Sequence, residues 1–213
     1  MKRQIATAAA LLIAIVSQPV AAQRAPVRLG ASVGANFAKF RGDDGGLQSN
    51  RVGAIGGVAL TLPLGGMLDL EIDGLYSQKG TKFDAVLAEA TTKLDYIDIP
   101  VLLRVGLIPN SPTRPYIEAG PSLSIRVGCA VEAKSFGFGG SVDCSEAGEF
   151  LEGQVKSYDI GGVIGGGIDI AAGSARIKLG VRYTIGFVEI VEHSTVKNQA
   201  ISAMVGFSVP LGK

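Results

Sequence analysis

The chain has a single histidine, and His193 stands between Glu192 and Ser194, three residue types that can build an acyl-transfer triad. That chemistry needs nucleophile, base and orienting carboxylate to converge within hydrogen-bond reach. Three successive residues of one segment point in different directions, so this is read as a solvated loop and no catalytic residue is assigned. Asp69, Glu71 and Asp73 are spaced by two, which places all three on one face of an extended chain. They could hold a divalent cation, but basic side chains occur on matching faces of other segments, so ion pairing is the expected role and no metal or cofactor is expected. Asp43-Asp44 reads as a solvated turn. Gly161-Gly162 and Gly165-Gly166-Gly167 suggest a phosphate-binding loop, yet such loops sit at a strand-to-helix junction. Here the glycines alternate with Ile160, Val163, Ile164 and Ile168 inside one strand, where they leave room for bulky neighbours. Cys129 and Cys144 form an even pair, a disulfide candidate in an exported chain.

Export is written at the start of the chain. Lys2 and Arg3 precede an apolar run from Ile5 to Val16, Pro19 breaks it, and Val20-Ala21-Ala22 offers small residues to a signal peptidase, with cleavage before Gln23. The run is too short to span a bilayer. The expected organisation is a signal peptide over residues 1–22 and one domain over 23–213. A formal net charge of +1 argues against nucleic acid, which demands a basic stripe. The mean hydropathy of +0.34 is high, but beyond the leader the apolar residues alternate with polar ones and form no long run.

That alternation has a period of two, the mark of strands with two unlike faces. It marks eight segments: Val27–Phe37, Val52–Leu62, Leu68–Lys79, Lys93–Val105, Tyr116–Val127, Tyr158–Ile170, Ala175–Phe187 and Ile201–Leu211. One face is apolar throughout, as in Ile97, Ile99, Val101, Leu103 and Val105. The other mixes glycine and serine with charge. Connections after the even strands are short (Pro63–Met67, Gly106–Arg114, Ala171–Ser174). Those after the odd strands are longer and polar, the longest from about Gly128 to Gln154. Tight turns on one side and long loops on the other are the layout of outer-membrane barrels. The fold class is therefore all-β: an eight-stranded antiparallel up-and-down transmembrane β-barrel with its apolar face toward lipid.

The polar face must then fill a lumen only wide enough for side chains, so an open pore is not expected. Its acids are Asp69, Glu71, Asp73, Asp98, Glu118, Asp159 and Asp169; its bases are Arg28, Lys79, Arg104, Arg126, Lys178 and Arg182. The near balance suits a network of ion pairs, since an unpaired buried charge is costly. Pro100 and Pro121 fall nearly opposite one another in the fourth and fifth strands, where proline removes a ladder donor, and a bulge or gap is predicted in that hairpin.

Leu75-Tyr76-Ser77-Gln78-Lys79-Gly80, Tyr96-Ile97-Asp98-Ile99-Pro100-Val101-Leu102-Leu103-Arg104 and Pro115-Tyr116-Ile117-Glu118-Ala119-Gly120-Pro121 resemble the PorT-like small outer-membrane β-barrel family. Gly161 to Asp169 and Val181-Arg182-Tyr183 continue the resemblance in order. It implies an eight-stranded porin-like barrel of the bacterial outer membrane without catalytic residues. The chain departs from many such barrels in ending Phe207-Ser208-Val209-Pro210-Leu211-Gly212-Lys213 instead of in an aromatic residue. Its aromatic girdle is thin, with Tyr76, Tyr158, Tyr183 and Phe187 near the outer rim and no tryptophan. The expected function is a structural or surface-interaction barrel that contacts outer-membrane lipid and meets a protein or surface partner through its extracellular loops, where Phe136-Gly137-Phe138-Gly139-Gly140 suit contact. The alternative is a soluble periplasmic or secreted barrel carrying a hydrophobic ligand. A lipid-modifying enzyme built on His193 is disfavoured.

Overall fold

The structure is a computed structural model and describes residues 25–42, 48–85, 88–108, 111–135, 138–144, 156–190 and 195–212. Among the described residues there are nine strands: β1 (Arg28–Arg41), β2 (Gln48–Gly65), β3 (Leu68–Ala85), β4 (Ala88–Gly106), β5 (Thr113–Ser135), β6 (Phe138–Asp143), β7 (Tyr158–Ala172), β8 (Ala175–Glu189) and β9 (Lys197–Pro210). Neighbours run β4-β3-β2-β1-β9-β8-β7-β5, and a β4–β5 pairing closes the ring. All pairings are antiparallel. Eight strands thus make a closed barrel, and β6 pairs with the outer part of β5 alone among the described residues.

Closure leaves no wall strand at an open edge, which hydrocarbon requires. Arg28 pairs with both Thr61 and Pro210, so both ends of the barrel chain lie at the rim that carries the short turns. Gly66 (φ +61°) and Gly173 (φ +65°) hold two of those turns in the left-handed region that glycine enters without a Cβ clash.

The apolar face points away from the barrel. Val33 is 64% exposed, Ile164 61% and Val181 54%, whereas Arg104 is 3% and Arg182 6% exposed. A soluble barrel would show the reverse. The outward apolar runs Leu29 to Phe37, Leu68 to Tyr76 and Ile201 to Val209 match the ~9–11 residues that a tilted strand needs to cross the bilayer.

Outside the apolar band the expected strand limits are too short. The stretch read as a loop after Lys79 is strand as far as Ala85, and β4 begins at Ala88, five residues before the expected Lys93. The expected long loop from Gly128 also begins as strand: β5 continues to Ser135, and β6 returns beside it. Alternation fails as a guide there because the outward face no longer meets lipid and the buried inner face carries Thr81, so Gly80-Thr81-Lys82 or Ala90-Thr91-Thr92 show no apolar side to count. At about 3.3 Å per residue the 23 residues of β5 rise about 50 Å at a 45° tilt, well beyond an apolar band about 25 Å tall.

The disulfide Cys129–Cys144 ties the base of this hairpin, with Cα atoms 5.4 Å apart; the Cys144 N–H also donates to the Cys129 carbonyl at 3.1 Å. Because the bridge lies outside the apolar band, its removal is expected to act locally. A Cys129→Ser/Cys144→Ser variant should keep the heat-modifiable gel shift of the wild type, while protease cleavage of the β5–β6 hairpin accelerates about tenfold. Equal cleavage rates would refute this.

The two prolines split the predicted interruption between two seams. Pairing of β4 with β5 skips Val101 and Leu102, opposite Pro121 and Gly120, and resumes at Leu103 in the same register. Pro100 instead interrupts β4 against β3, where Asp73 and Gly74 lack ladder partners. Each proline keeps its place in the other pairing, Pro100 with Ser122 and Pro121 with Gly162.

Candidate functional site

The lumen is where the charged side chains meet. Period-two geometry turns Glu71 and Asp73 of β3, Arg104 of β4, Glu118 of β5, Asp169 of β7 and Lys178 and Arg182 of β8 inward together. Glu71 is fully buried and sits at the hub. It accepts from Arg104 Nη1 at 2.9 Å, from Lys178 Nζ at 2.6 Å and from Arg182 Nη2 at 2.8 Å. Arg182 further binds Asp73 at 2.5 Å through Nη1 and Glu118 at 2.6 Å through Nε. Arg104 reaches Glu118 at 3.3 Å and Asp169 at 3.2 Å, and its guanidinium lies 3.8 Å from the centroid of the Tyr116 ring. Each guanidinium meets more than one carboxylate, the fork geometry that makes arginine the usual cation of buried pairs.

The remaining predicted lumen residues lie nearer the ends. Toward the outer end Lys79 pairs with Asp98 at 2.8 Å and donates to Ser124. Asp159 accepts from the Val188 N–H and from Asn198 Nδ2, and Arg126 Nε donates to the Lys156 carbonyl at 3.3 Å. At the turn end Asp69 pairs with Arg114 at 3.4 Å, and Arg28 donates to Ser208 and to the Ser174 carbonyl. Arg28 and Asp159 are thus held by neutral partners, and with Arg126 they stand apart from the central cluster. His193, Glu192, Ser194, Asp43, Asp44, Phe136 and Gly137 lie outside the described residues, as does the leader.

The spaces left between these side chains are small. Those beside Ser122 and Asp159, beside Asn36 and Ser202, and beside Glu71 and Lys178 each measure about 10 Å³, room for a single water. Among the described residues no three histidine, cysteine or acidic side chains are grouped so as to hold a metal ion.

The sequence profile of the outer membrane protein beta-barrel domain matches residues 17–192. The chain belongs to this family. Strand β9 lies beyond the matched stretch and completes the family's barrel by pairing with β1 and β8. Two solved outer-membrane barrels have the same fold: Neisserial surface protein A, with 17% identity, a TM-score of 0.51 and 89% of this chain aligned to 100% of that one, and OprG of Pseudomonas aeruginosa, with 12% identity, a TM-score of 0.50 and 89% aligned to 98%. Comparison with curated proteins finds no match. The protein is thus an eight-stranded barrel of the bacterial outer membrane, a class whose short turns are periplasmic.

Several contributors to the packed lumen of this family member escaped the reading of charges. Arg114 falls in a stretch read as turn, yet it is held by Asp69 and by the Met67 carbonyl. Asn36 lies on the predicted polar face, but counting only charges passes over its bonds to Ser77 and Ser202. Tyr116 projects inward over the glycines: a Cβ at Gly167 or Gly180 would stand 2.7 Å from its hydroxyl. The glycines of β7 and β8 make room for a ring that the strand pattern alone does not place. Gly180→Val should displace Tyr116 from Arg104 and cost about 1–3 kcal/mol, the usual penalty of overpacking. Chemical denaturation in micelles measures it; no loss of stability would contradict the packing.

Proposed function

We propose that this barrel is a non-conducting anchor that presents the outer extension of β2–β6 to a protein or surface partner outside the cell. The filled lumen carries the reading: an ionic cluster centred on Glu71, with interstices of about 10 Å³, leaves no path for hydrated ions. The outer hairpins support it, because the disulfide at the base of β5–β6 holds an ordered platform where transport alone would need none. The carrier alternative loses support from the same interior, which has charge where a hydrophobic ligand needs an apolar pocket. Within the family, the motifs from Leu75 to Gly80, Tyr96 to Arg104 and Pro115 to Pro121 favour the PorT-like branch. A leader ending at Ala22 fits the export that this location requires.

Two measurements test the proposal. In planar bilayers the refolded protein should give no steady unitary conductance in 1 M KCl on the order of that of side-chain-filled eight-stranded barrels, that is, none above baseline. Reproducible single-channel steps would overturn it. In intact cells a membrane-impermeant maleimide should label Lys82→Cys on the outer extension, and Ser174→Cys at the short turn only after permeabilisation. The opposite pattern would place the platform in the periplasm and end the surface role.

A further inference from the structure

Above the apolar band, the outward cations of the described residues gather on the side formed by β9, β1, β3 and β4. Two tyrosines mark the level of the interface, as amphipathic rings do in membrane proteins. The Tyr183 hydroxyl is 3.2 Å from Gln199 Oε1, and Tyr76 donates to Asp95 Oδ2 at 2.7 Å. Gln199 is the register partner of Lys39. Two residues further out on the same face, about 7 Å along the strand, Arg41 stands directly opposite Lys197. On the Tyr76 side Lys93 and Lys82 lie just beyond Asp95, bordering an open groove of about 410 Å³. Lys39, Arg41 and Lys82 are exposed. At the same level β5, β7 and β8 carry Glu132, Tyr158 and Glu189 and, among the described residues with placed side chains, no outward cation; Glu132 borders the same groove and pairs with Lys93 at 2.5 Å.

The Arg41–Lys197 pair is the informative one. Like charges directly opposite on neighbouring strands repel and weaken the pairing. Glu189 is the register partner of Lys197 on its other side, yet among the described residues no ion pair relieves either cation. A bound anion between them would, and arginine beside lysine matches phosphate in both fork and point-charge geometry. The position selects the source of that anion: the cations stand just above Phe37 and the Tyr183 ring, at the depth of lipid headgroups, where a basic cluster attracts anionic lipid.

We infer that Lys39, Arg41 and Lys197 form a binding site for the phosphate groups of an anionic glycolipid of the outer leaflet, with Lys82 extending the contact on the same side of the barrel. The acyl chains of that lipid lie along the apolar wall of β1 and β9, where Val33, Phe37, Ile201 and Val205 are exposed. The inference uses the seat in the outer membrane and does not depend on the proposed surface partner.

The test refolds the full mature chain into phosphatidylcholine vesicles doped with bisphosphorylated lipid A or with the same lipid A enzymatically stripped of phosphate. Lipid retained after gentle detergent extraction is read by native mass spectrometry. The wild type should retain the phosphorylated form at least tenfold over the stripped form, and 0.5 M NaCl should abolish most of that preference. Lys39→Gln/Arg41→Gln/Lys197→Gln should bring the ratio to within twofold of unity, whereas Lys156→Gln, a cation outside the patch, should leave it unchanged. Equal retention of the two lipids by the wild type would overturn the inference without any variant being made. So would displacement of the lipid by millimolar inorganic phosphate, which would make the site one for the free ion, or persistence of the preference in the triple variant.

Discussion

Glu71→Ala is expected to lower the unfolding free energy of the barrel by about 3–5 kcal/mol, the range for breaking a buried charge network by removing one partner. Glu71 receives Arg104, Lys178 and Arg182 in a space that excludes bulk water. Alanine leaves those cations with Asp73, Glu118 and Asp169 but removes the one carboxylate shared by all three. Arg104 and Arg182 retain other carboxylates, whereas Lys178 has none within ion-pair distance among the described residues once Glu71 is gone. The loss should therefore be relieved in part by Lys178→Met in the same chain, which removes the stranded charge. Urea titration of the micelle-refolded protein, followed by the heat-modifiable gel shift, measures both variants. A Glu71→Ala barrel as stable as the wild type would refute the hub, and no recovery in the double variant would refute the role given to Lys178.

Ile164→Arg should cost about 2–4 kcal/mol in a bilayer, the penalty for arginine on the lipid face near the midplane. Ile164 lies halfway along the apolar run of β7 from Tyr158 to Ile170, faces outward, and is 61% exposed in the isolated chain. In water such a surface substitution would change stability by no more than about 0.5 kcal/mol, so the size of the effect reports what surrounds the wall. Folding yield into vesicles against Ile164→Ala separates the two cases. A penalty below 0.5 kcal/mol would mean that this face does not meet hydrocarbon.

The barrel was legible because its signal is local. Within the bilayer each strand has one face in lipid and one in the lumen, so Ile97, Ile99 and Val101 alternate with Tyr96, Asp98 and Pro100 whatever their neighbours are. The same period points Glu71, Arg104, Glu118 and Arg182 inward. The signal stops where that asymmetry stops. Beyond Lys79 and before Lys93 the outward face leaves the lipid and loses its apolar residues, and the strands continued where a loop was expected. Arg114 was missed for a related reason, since proximity to a turn concealed that its side chain reaches back to Asp69.

The sequence by itself determined the strand faces, the even strand number and the neutral charge balance of the interior, because these follow from side-chain alternation and composition along single strands. Only the tertiary structure decided who meets whom. Lys178 and Arg182 reach Glu71 across 107 and 111 residues of chain, and Arg41 meets Lys197 at the rim. Those partnerships depend on the stagger of strands around a closed ring, and moving one strand along its neighbour by two residues would preserve every face while exchanging every partner.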